Sequence, residues 1–180
     1  MEVGGLEISP EANQVARERF GLDLYQGDFE TMDMRAEAGR WDIVFAGDVF
    51  EHFPHPAVVV DKVHEMLAPG GVAFIVVPGT FNLFSTAIAR NLYRLLGRQQ
   101  RLTDLPYHLF EYTSDSARAM WARRFARVEI RNHIKPASAV NRKGGSLAFQ
   151  VKYLLHLLNV PFTRMTGRRG DRITIIAHKD

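Results

Sequence analysis

The apolar and polar positions of the chain switch repeatedly between strand-like and helix-like spacing. Val3–Ile8 is a short strand-like run, and Ser9-Pro10 reads as an N-cap followed by proline in the first helical turn. Ala12, Val15, Ala16 and Phe20 then share one helical face, and Gly21 supplies the stop. Leu22–Gln26 predicts a second short strand, closed by Gly27-Asp28, while Thr31–Arg40 is polar and reads as irregular or as one short helix. Trp41–Ala46 is almost continuously apolar, as expected of a strand covered on both faces of a parallel sheet. After Pro54 and Pro56 comes a helix with Val59, Val63, Met66 and Leu67 inward. Pro69-Gly70-Gly71 ends that helix, and Val72–Val77 is a further buried strand. Strand and helix in alternation predict an α/β architecture with a doubly wound sheet.

The second half is less regular. Helical spacing covers Phe84–Leu96, with Ile88, Leu92 and Leu95 on one side and Arg90, Arg94 and Arg98 in a stripe. Ser114–Phe125 predicts another helix, capped by Thr113 or Ser114, and Leu147–Leu158 a third, with Leu147, Val151, Leu154, Leu155 and Leu158 at helical spacing. Arg127–Ile134 and Arg172–His178 read as strands. No linker separates the halves, so residues 1–180 are expected to form one domain with an elaborated second half.

Charge sharpens this division. The chain of 180 residues carries 23 Lys and Arg against 20 Asp and Glu, a net of +3. Residues 1–80 hold 5 basic and 14 acidic side chains, a net of −9, whereas residues 81–180 hold 18 and 6, a net of +12. Such asymmetry suits a nucleic-acid or membrane surface, or else a cofactor site in the acidic half and a solvated basic face in the other. The absence of cysteine excludes thiolate zinc sites, Cys nucleophiles and redox pairs, and suits a reducing compartment. No apolar run reaches the roughly 18–20 residues of a spanning helix, and no signal peptide is visible, so a cytoplasmic location is expected.

Several short motifs carry candidate chemistry. Glu7 ends a predicted strand, where open α/β sheets place ligands, and a carboxylate there can accept both hydrogen bonds of a ribose diol. It equally reads as an acidic residue opening a helix, favoured by the macrodipole. Gly27-Asp28-Phe29 follows the next strand. An aspartate can accept from an adenine amino group and an aromatic can pack on a base, although a plain turn needs nothing more. Asp48-Val49-Phe50-Glu51-His52 follows the Trp41–Ala46 strand, and Leu67-Ala68-Pro69-Gly70-Gly71 turns sharply from helix to strand.

In this order, the stretches VGGLEISPEANQVARERFG, YQGDFETM, RWDIVFAGDVFEHFPHP and HEMLAPGGVAFIVVP resemble class I S-adenosylmethionine-dependent methyltransferases, of the small-molecule branch that includes quinone O-methyltransferases. Phe110–Ile130 and Arg172–Lys179 fit the last two strands of that family more loosely. The resemblance implies a Rossmann-like methyltransferase sheet, with residues 1–80 as the cofactor-binding half and 81–180 on the acceptor side. It further implies S-adenosylmethionine as cofactor, with Glu7 on the ribose hydroxyls and Ile8 beside the adenine. Asp28 and the Phe29 backbone would meet the adenine edge, and Asp48 and Val49 would line the methionine portion.

One family feature is missing. A strand, a glycine-rich loop and a helix should precede the acidic strand end by roughly 20 residues. The Gly4-Gly5 pair, two residues before Glu7, does not stand in for them. The first, central strand is therefore expected to be absent from the chain, with strand order 3-2-(1 absent)-4-5-7-6. A gap is expected between the Val3–Ile8 and Trp41–Ala46 strands, with open, apolar edges. A trimmed chain or a misassigned start is the expected cause.

Methyl transfer to a hydroxyl calls for alignment and usually a base. His52 is the first candidate general base and His108, in PYHLFEY, the second, because imidazole titrates near neutrality; a structural role in loop packing is the more ordinary reading of each. Glu51, His52 and His55 cluster in sequence but match no metal-ligand spacing, so no metal is expected. The basic amphipathic segment 84–98 suits peripheral contact with an anionic membrane, and an amphipathic acceptor such as a prenylated quinone or lipid-linked sugar would explain it. Nucleic acid is the rival partner, with no recognised binding motif. The competing functional class is a non-catalytic basic interaction module on the same fold.

Overall fold

In the computed structural model the described residues are 2–79, 83–95, 97, 108–135 and 147–180. In chain order they form β1 (Leu6–Glu7), α1 (Pro10–Phe20), β2 (Tyr25–Gln26), β3 (Trp41–Gly47), α2 (Pro56–Met66), β4 (Leu67–Pro78), α3 (Phe84–Leu95), α4 (Ser114–Trp121), β5 (Arg127–His133), α5 (Leu147–Thr166) and β6 (Arg172–His178). Short 3-10 turns lie at Arg35–Glu37 and Phe50–His52.

The strands make two sheets. β1 and β2 pair in parallel, and the remaining four follow the order β3-β4-β6-β5. β3 runs parallel to β4, while β6 runs antiparallel to both β4 and β5. This is the expected order with its gap in place: among the described residues no strand joins β1 to β3.

The core lies under one face of the larger sheet. Leu67, Ala73, Ile75 and Val77 of β4 and Ile173, Ile175 and Ala177 of β6 pack there against Val59, Val60 and Val63 of α2. Trp121 and Phe125 at the end of α4 close it, with ring centroids 5.5 Å apart. Each fully buried side chain of this size contributes about 1.5–3 kcal/mol of hydrophobic stabilisation. The opposite face is bare at the β3 end. Ile43 and Phe45 are each 67% exposed, and Phe45 stacks on Phe74 at 6.1 Å.

Several boundaries differ from expectation. Only two residues of each N-terminal run are laddered, because β1 and β2 have just each other as partners. The predicted apolar face of α1 is not a core face: Phe20 is 72% exposed, and the helix instead buries Asn13. That amide donates to Leu24 O at 3.2 Å and Gln26 Oε1 at 3.0 Å, so a polar contact docks α1 on β2. β4 begins at Leu67, so the Pro-Gly-Gly segment lies within the strand and not before it. The Thr31–Arg40 stretch holds the Arg35–Glu37 turn. α4 stops at Trp121, and of its two candidate caps Thr113 is the one used, in a capping box with Ser116. α5 continues past Leu158, through Pro161, to Thr166. In the basic amphipathic segment, Arg98 lies outside the described residues, while Ile88 and Leu95 are exposed.

Candidate active site

Glu7 ends β1, Asp28 follows the end of β2, and Asp48 and Val49 follow the end of β3. Glu7 faces Gln26 in the ladder, and Gly27 N donates to Glu7 O at 3.1 Å. Glu7 Oε1 accepts from Ser9 N at 2.8 Å while Ser9 Oγ caps α1, so the carboxylate is fixed by the helix start that follows it. Asp28 shapes the next loop: its Oδ1 accepts from Glu30 N at 2.9 Å, and its carbonyl accepts from Met32 N at 2.9 Å. Ile8 is exposed beside Glu7.

Phe29 packs on Phe53 at 6.1 Å and, with Val49 and Gly47, lines a cavity of about 310 Å³ between the β1 and β3 edges. Glu7, Ile8 and Asp28 do not line it. Gly4 and Gly5 also line it, and neither has room for a side chain: a Cβ on Gly4 would sit 2.6 Å from the Trp41 indole ring and one on Gly5 2.8 Å from Leu24.

Beyond β3 the geometry is tighter. Asp48 adopts a left-handed backbone at φ 54°, which a non-glycine residue holds only where its surroundings fix it. Its amide donates to Val76 O at 2.9 Å and its carboxylate pairs with Arg172, the first residue of β6. This ion pair raises the pKa of the Arg172 guanidinium. Glu51, 1% exposed, lies at the centre of the site. Its Oε1 is 3.8 Å from His52 Nε2 and 3.9 Å from His108 Nε2, and the two imidazoles meet edge to face at 5.2 Å. His108 Nδ1 also lies 3.0 Å from Glu111 Oε1.

Burial pushes the Glu51 carboxyl above its ordinary range, and the neighbouring imidazoles offset only part of that shift. Neither carboxylate oxygen has a hydrogen-bond partner among the described residues. The Glu51 carbonyl accepts from Leu109 N and Phe110 N at 3.0 and 3.1 Å, which stitches the segment carrying His108 to the loop carrying His52. Asp48, Glu51, His52, His108 and Arg172 together line a second cavity of about 520 Å³.

The structure thus joins His52 and His108, which in sequence are separate alternatives, and leaves His55 out. The His55 amide donates to Glu30 Oε1 at 2.5 Å and its ring faces that carboxylate, so Glu51, His52 and His55 form no cluster. Ligand atoms of Glu51, His52 and His108 do lie within 4.8 Å of one another, a donor set able to hold a divalent cation or a shared proton. Glu51 entered the sequence reading only in a cluster with His52 and His55, and Glu111 and Arg172 were not legible as site residues. The i, i+3 spacing of His108 and Glu111 was the one available signal, whereas Arg172 reaches Asp48 across 124 positions.

The sheet order and the site at its carboxyl edge define a Rossmann-like methyltransferase fold. Residues 2–135 match the family described as methyltransferase domain, and the chain belongs to that family. Among curated relatives, the ubiquinone biosynthesis O-methyltransferase of Azoarcus sp. (strain BH72) is 27% identical over 115 residues, covering 62% of this chain and 47% of that protein. The enzyme of the same description from Nitrosococcus oceani is 26% identical over 169 residues, covering 86% and 66%. The chain therefore spans less than two thirds of the length of these relatives. Among solved structures, an S-adenosylmethionine-dependent methyltransferase from Archaeoglobus fulgidus superposes with a TM-score of 0.59 at 13% identity, covering 99% of this chain and 76% of that one. The Haemonchus contortus phosphoethanolamine N-methyltransferase 2, in complex with phosphomonomethylethanolamine and S-adenosylhomocysteine, gives 0.55 at 15% identity, covering 99% and 44%. These likenesses carry the fold.

Proposed function

We propose that the chain takes part in methyl transfer from S-adenosylmethionine to a hydroxyl of a small, amphipathic acceptor of quinone type. The observation that carries this reading is the convergence of His52 and His108, from opposite halves of the chain, on one buried carboxylate beyond the end of β3. Family membership and the O-methyltransferase relatives support the same chemistry.

The side chains present fit the adenosine portion of the cofactor. Glu7 has one carboxylate oxygen engaged by Ser9 N, and both oxygens together can meet a ribose diol. Asp28 and Phe29 share a loop on the adjacent strand end, suited to an adenine edge and face. Ile8 is assigned beside the adenine, and Asp48 and Val49 the methionine side. When bound, the cofactor supplies an electrophilic methyl group on a sulfonium.

An acceptor hydroxyl that took up this methyl group would have to lose its proton. His52 receives the proton, and Glu51 beside it balances the resulting imidazolium. His108, braced by Glu111, closes the other side and is the alternative base.

An amphipathic acceptor also accounts for apolar surface on the second half. Ile88 and Leu95 of α3 and Leu154 and Leu158 of α5 are exposed, with Arg94 exposed among them. Peripheral contact with an anionic membrane through residues 84–98 is part of this reading. No helix among the described residues is long and apolar enough to cross a membrane.

The test combines calorimetry with S-adenosylhomocysteine and radiolabelled methyl transfer to catechol-type acceptors. His52→Ala should lower kcat by about 10²–10⁴ with cofactor affinity retained, as for loss of a general base. Activity unchanged in both His52→Ala and His108→Ala would remove the imidazoles from the chemistry. No binding and no transfer would leave a non-catalytic module.

A further inference from the structure

From α2, Lys62 reaches the loop of residues 27–32, which carries Asp28 and Phe29. An ammonium has three donors, and all three are used on this one loop. Lys62 Nζ donates to Phe29 O at 2.8 Å, to Glu30 O at 2.6 Å and to Met32 O at 2.7 Å. The ammonium also lies 5.8 Å from the centre of the Phe29 ring. A second tie runs from the start of the same helix, where the His55 amide donates to Glu30 Oε1. The loop has no strand partner of its own, since β2 ends at Gln26. Its internal bonds are those of one turn, with the Asp28 carbonyl accepting from Thr31 N and Met32 N.

Without the ammonium, three carbonyls would converge on one point with no donor between them, and their dipoles would repel. The loop would then be held by the Glu30–His55 hydrogen bond and the Phe29–Phe53 contact alone, and would open more readily. α2 itself does not share this freedom. Val59, Val60 and Val63 anchor it in the core, so Lys62 refers the loop to the most rigid layer of the fold.

We infer that Lys62 is a positioning residue for the adenosine end of the cofactor, holding residues 27–32 in the conformation that presents Asp28 and Phe29 to the adenine. This rests on the assignment of those two residues under the proposed function and extends it to a side chain that does not touch the ligand. Arginine cannot replace the lysine fully, since a planar guanidinium does not direct three donors at three convergent carbonyls.

The experiment measures binding of S-adenosylhomocysteine and of 5′-methylthioadenosine by calorimetry, with amide exchange of residues 28–32 followed in the same samples. The samples are the unaltered chain, Lys62→Met, which keeps the apolar stem, and Lys62→Arg, which keeps the charge. If the binding-competent loop falls to about a tenth of the population, both dissociation constants rise about tenfold in Lys62→Met. The loop amides exchange faster while those of β4 do not. Lys62→Arg falls between the two and serves where Lys62→Met does not fold. Faster exchange confined to the loop amides, with both nucleosides weakened, places the effect at the adenine end, whereas a general loss of stability would speed exchange in β4 as well.

Unchanged affinity and unchanged loop exchange in a folded variant would overturn the inference while leaving the cofactor reading standing. Failure of the unaltered chain to bind either nucleoside would overturn the cofactor reading and this inference with it.

Discussion

The Tyr25 hydroxyl donates to Glu37 Oε1 at 2.8 Å, and this contact ties the two-stranded sheet to the four-stranded one. Glu37 also accepts from Trp41 Nε1 at 2.9 Å and from Arg40 Nη1 at 3.0 Å, and Arg40 in turn pairs with Glu2. A single carboxylate so gathers residues from the N-terminus, β2 and the start of β3. No backbone ladder performs this task among the described residues, and the carboxylate shares it with the ties of Lys62 and His55 to the loop of residues 27–32.

Glu37→Gln should therefore loosen the N-terminal unit before the main sheet. Hydrogen bonds, first that of Tyr25, hold the Glu37 carboxyl below its ordinary range. A depressed carboxylate contributes stability that is present above its unfolded pKa and lost as pH falls through the folded value. Thermal melts should show the variant several degrees less stable at pH 7, with the difference shrinking as pH falls below the ordinary glutamate range. A constant difference across that range would separate the effect from the charge.

Tyr112 presents the opposite case. Its ring stacks on Phe50 at 5.3 Å, but its hydroxyl is buried without a hydrogen-bond partner among the described residues. Burial pushes the phenol pKa well above its usual value, and the nearby Glu51 carboxylate adds to the shift. Removing an unsatisfied hydroxyl leaves the packing and ends a desolvation cost, so Tyr112→Phe should be neutral or stabilising by about 1 kcal/mol. Urea unfolding at pH 7 measures it.

Glu51 couples stability to chemistry. Its carboxyl is raised by burial, so between the unfolded and the folded pKa the folded chain holds a proton that the unfolded chain releases, and above the folded pKa the group is charged. Stability from this group is complete below the unfolded pKa and declines as pH rises through the folded value. Glu51→Gln should flatten that decline, gaining on the parent as pH rises from 4 to 8. The same variant should lower kcat for methyl transfer, because it removes the charge facing both imidazoles. A gain in stability joined to a loss of rate marks a side chain kept for function.

The larger sheet was legible because its signals are local and repeated. Val72–Val77 and Arg172–His178 are runs with one reading, and Val59, Val63 and Met66 share a helical face that the core accepts, with Leu67 buried instead as the first residue of β4. The face of α1 misled because periodicity reports amphipathicity and not what lies opposite; Asn13 won the buried position through its amide. The His52–Glu51–His108 group was half legible. Each imidazole stood in a suggestive motif, but their meeting depends on the Leu109 and Phe110 amides reaching the Glu51 carbonyl, a contact across about a third of the chain that no local pattern encodes. Lys62 was invisible for the same reason, since its partners are backbone carbonyls and leave no mark on composition.

The uncovered face of β3 makes a prediction about association. Among the described residues β3 pairs only with β4, and Ile43 and Phe45 project from it into solvent beside Phe74. An exposed apolar strand edge is a template for pairing with another chain. Burying one such side chain in an intermolecular contact contributes about 1.5–3 kcal/mol, ample for association at micromolar concentration when several act together. Sedimentation velocity should therefore show concentration-dependent self-association of the unaltered chain. Phe45→Lys places a charge on the open face at little internal cost, forfeiting a stacked contact with Phe74 worth about 1 kcal/mol. That variant should move the distribution toward monomer while its melting temperature falls by only a few degrees. A lysine on the opposite, buried face, as in Ile75→Lys, should instead unfold the sheet, so the two substitutions distinguish an exposed edge from a core strand.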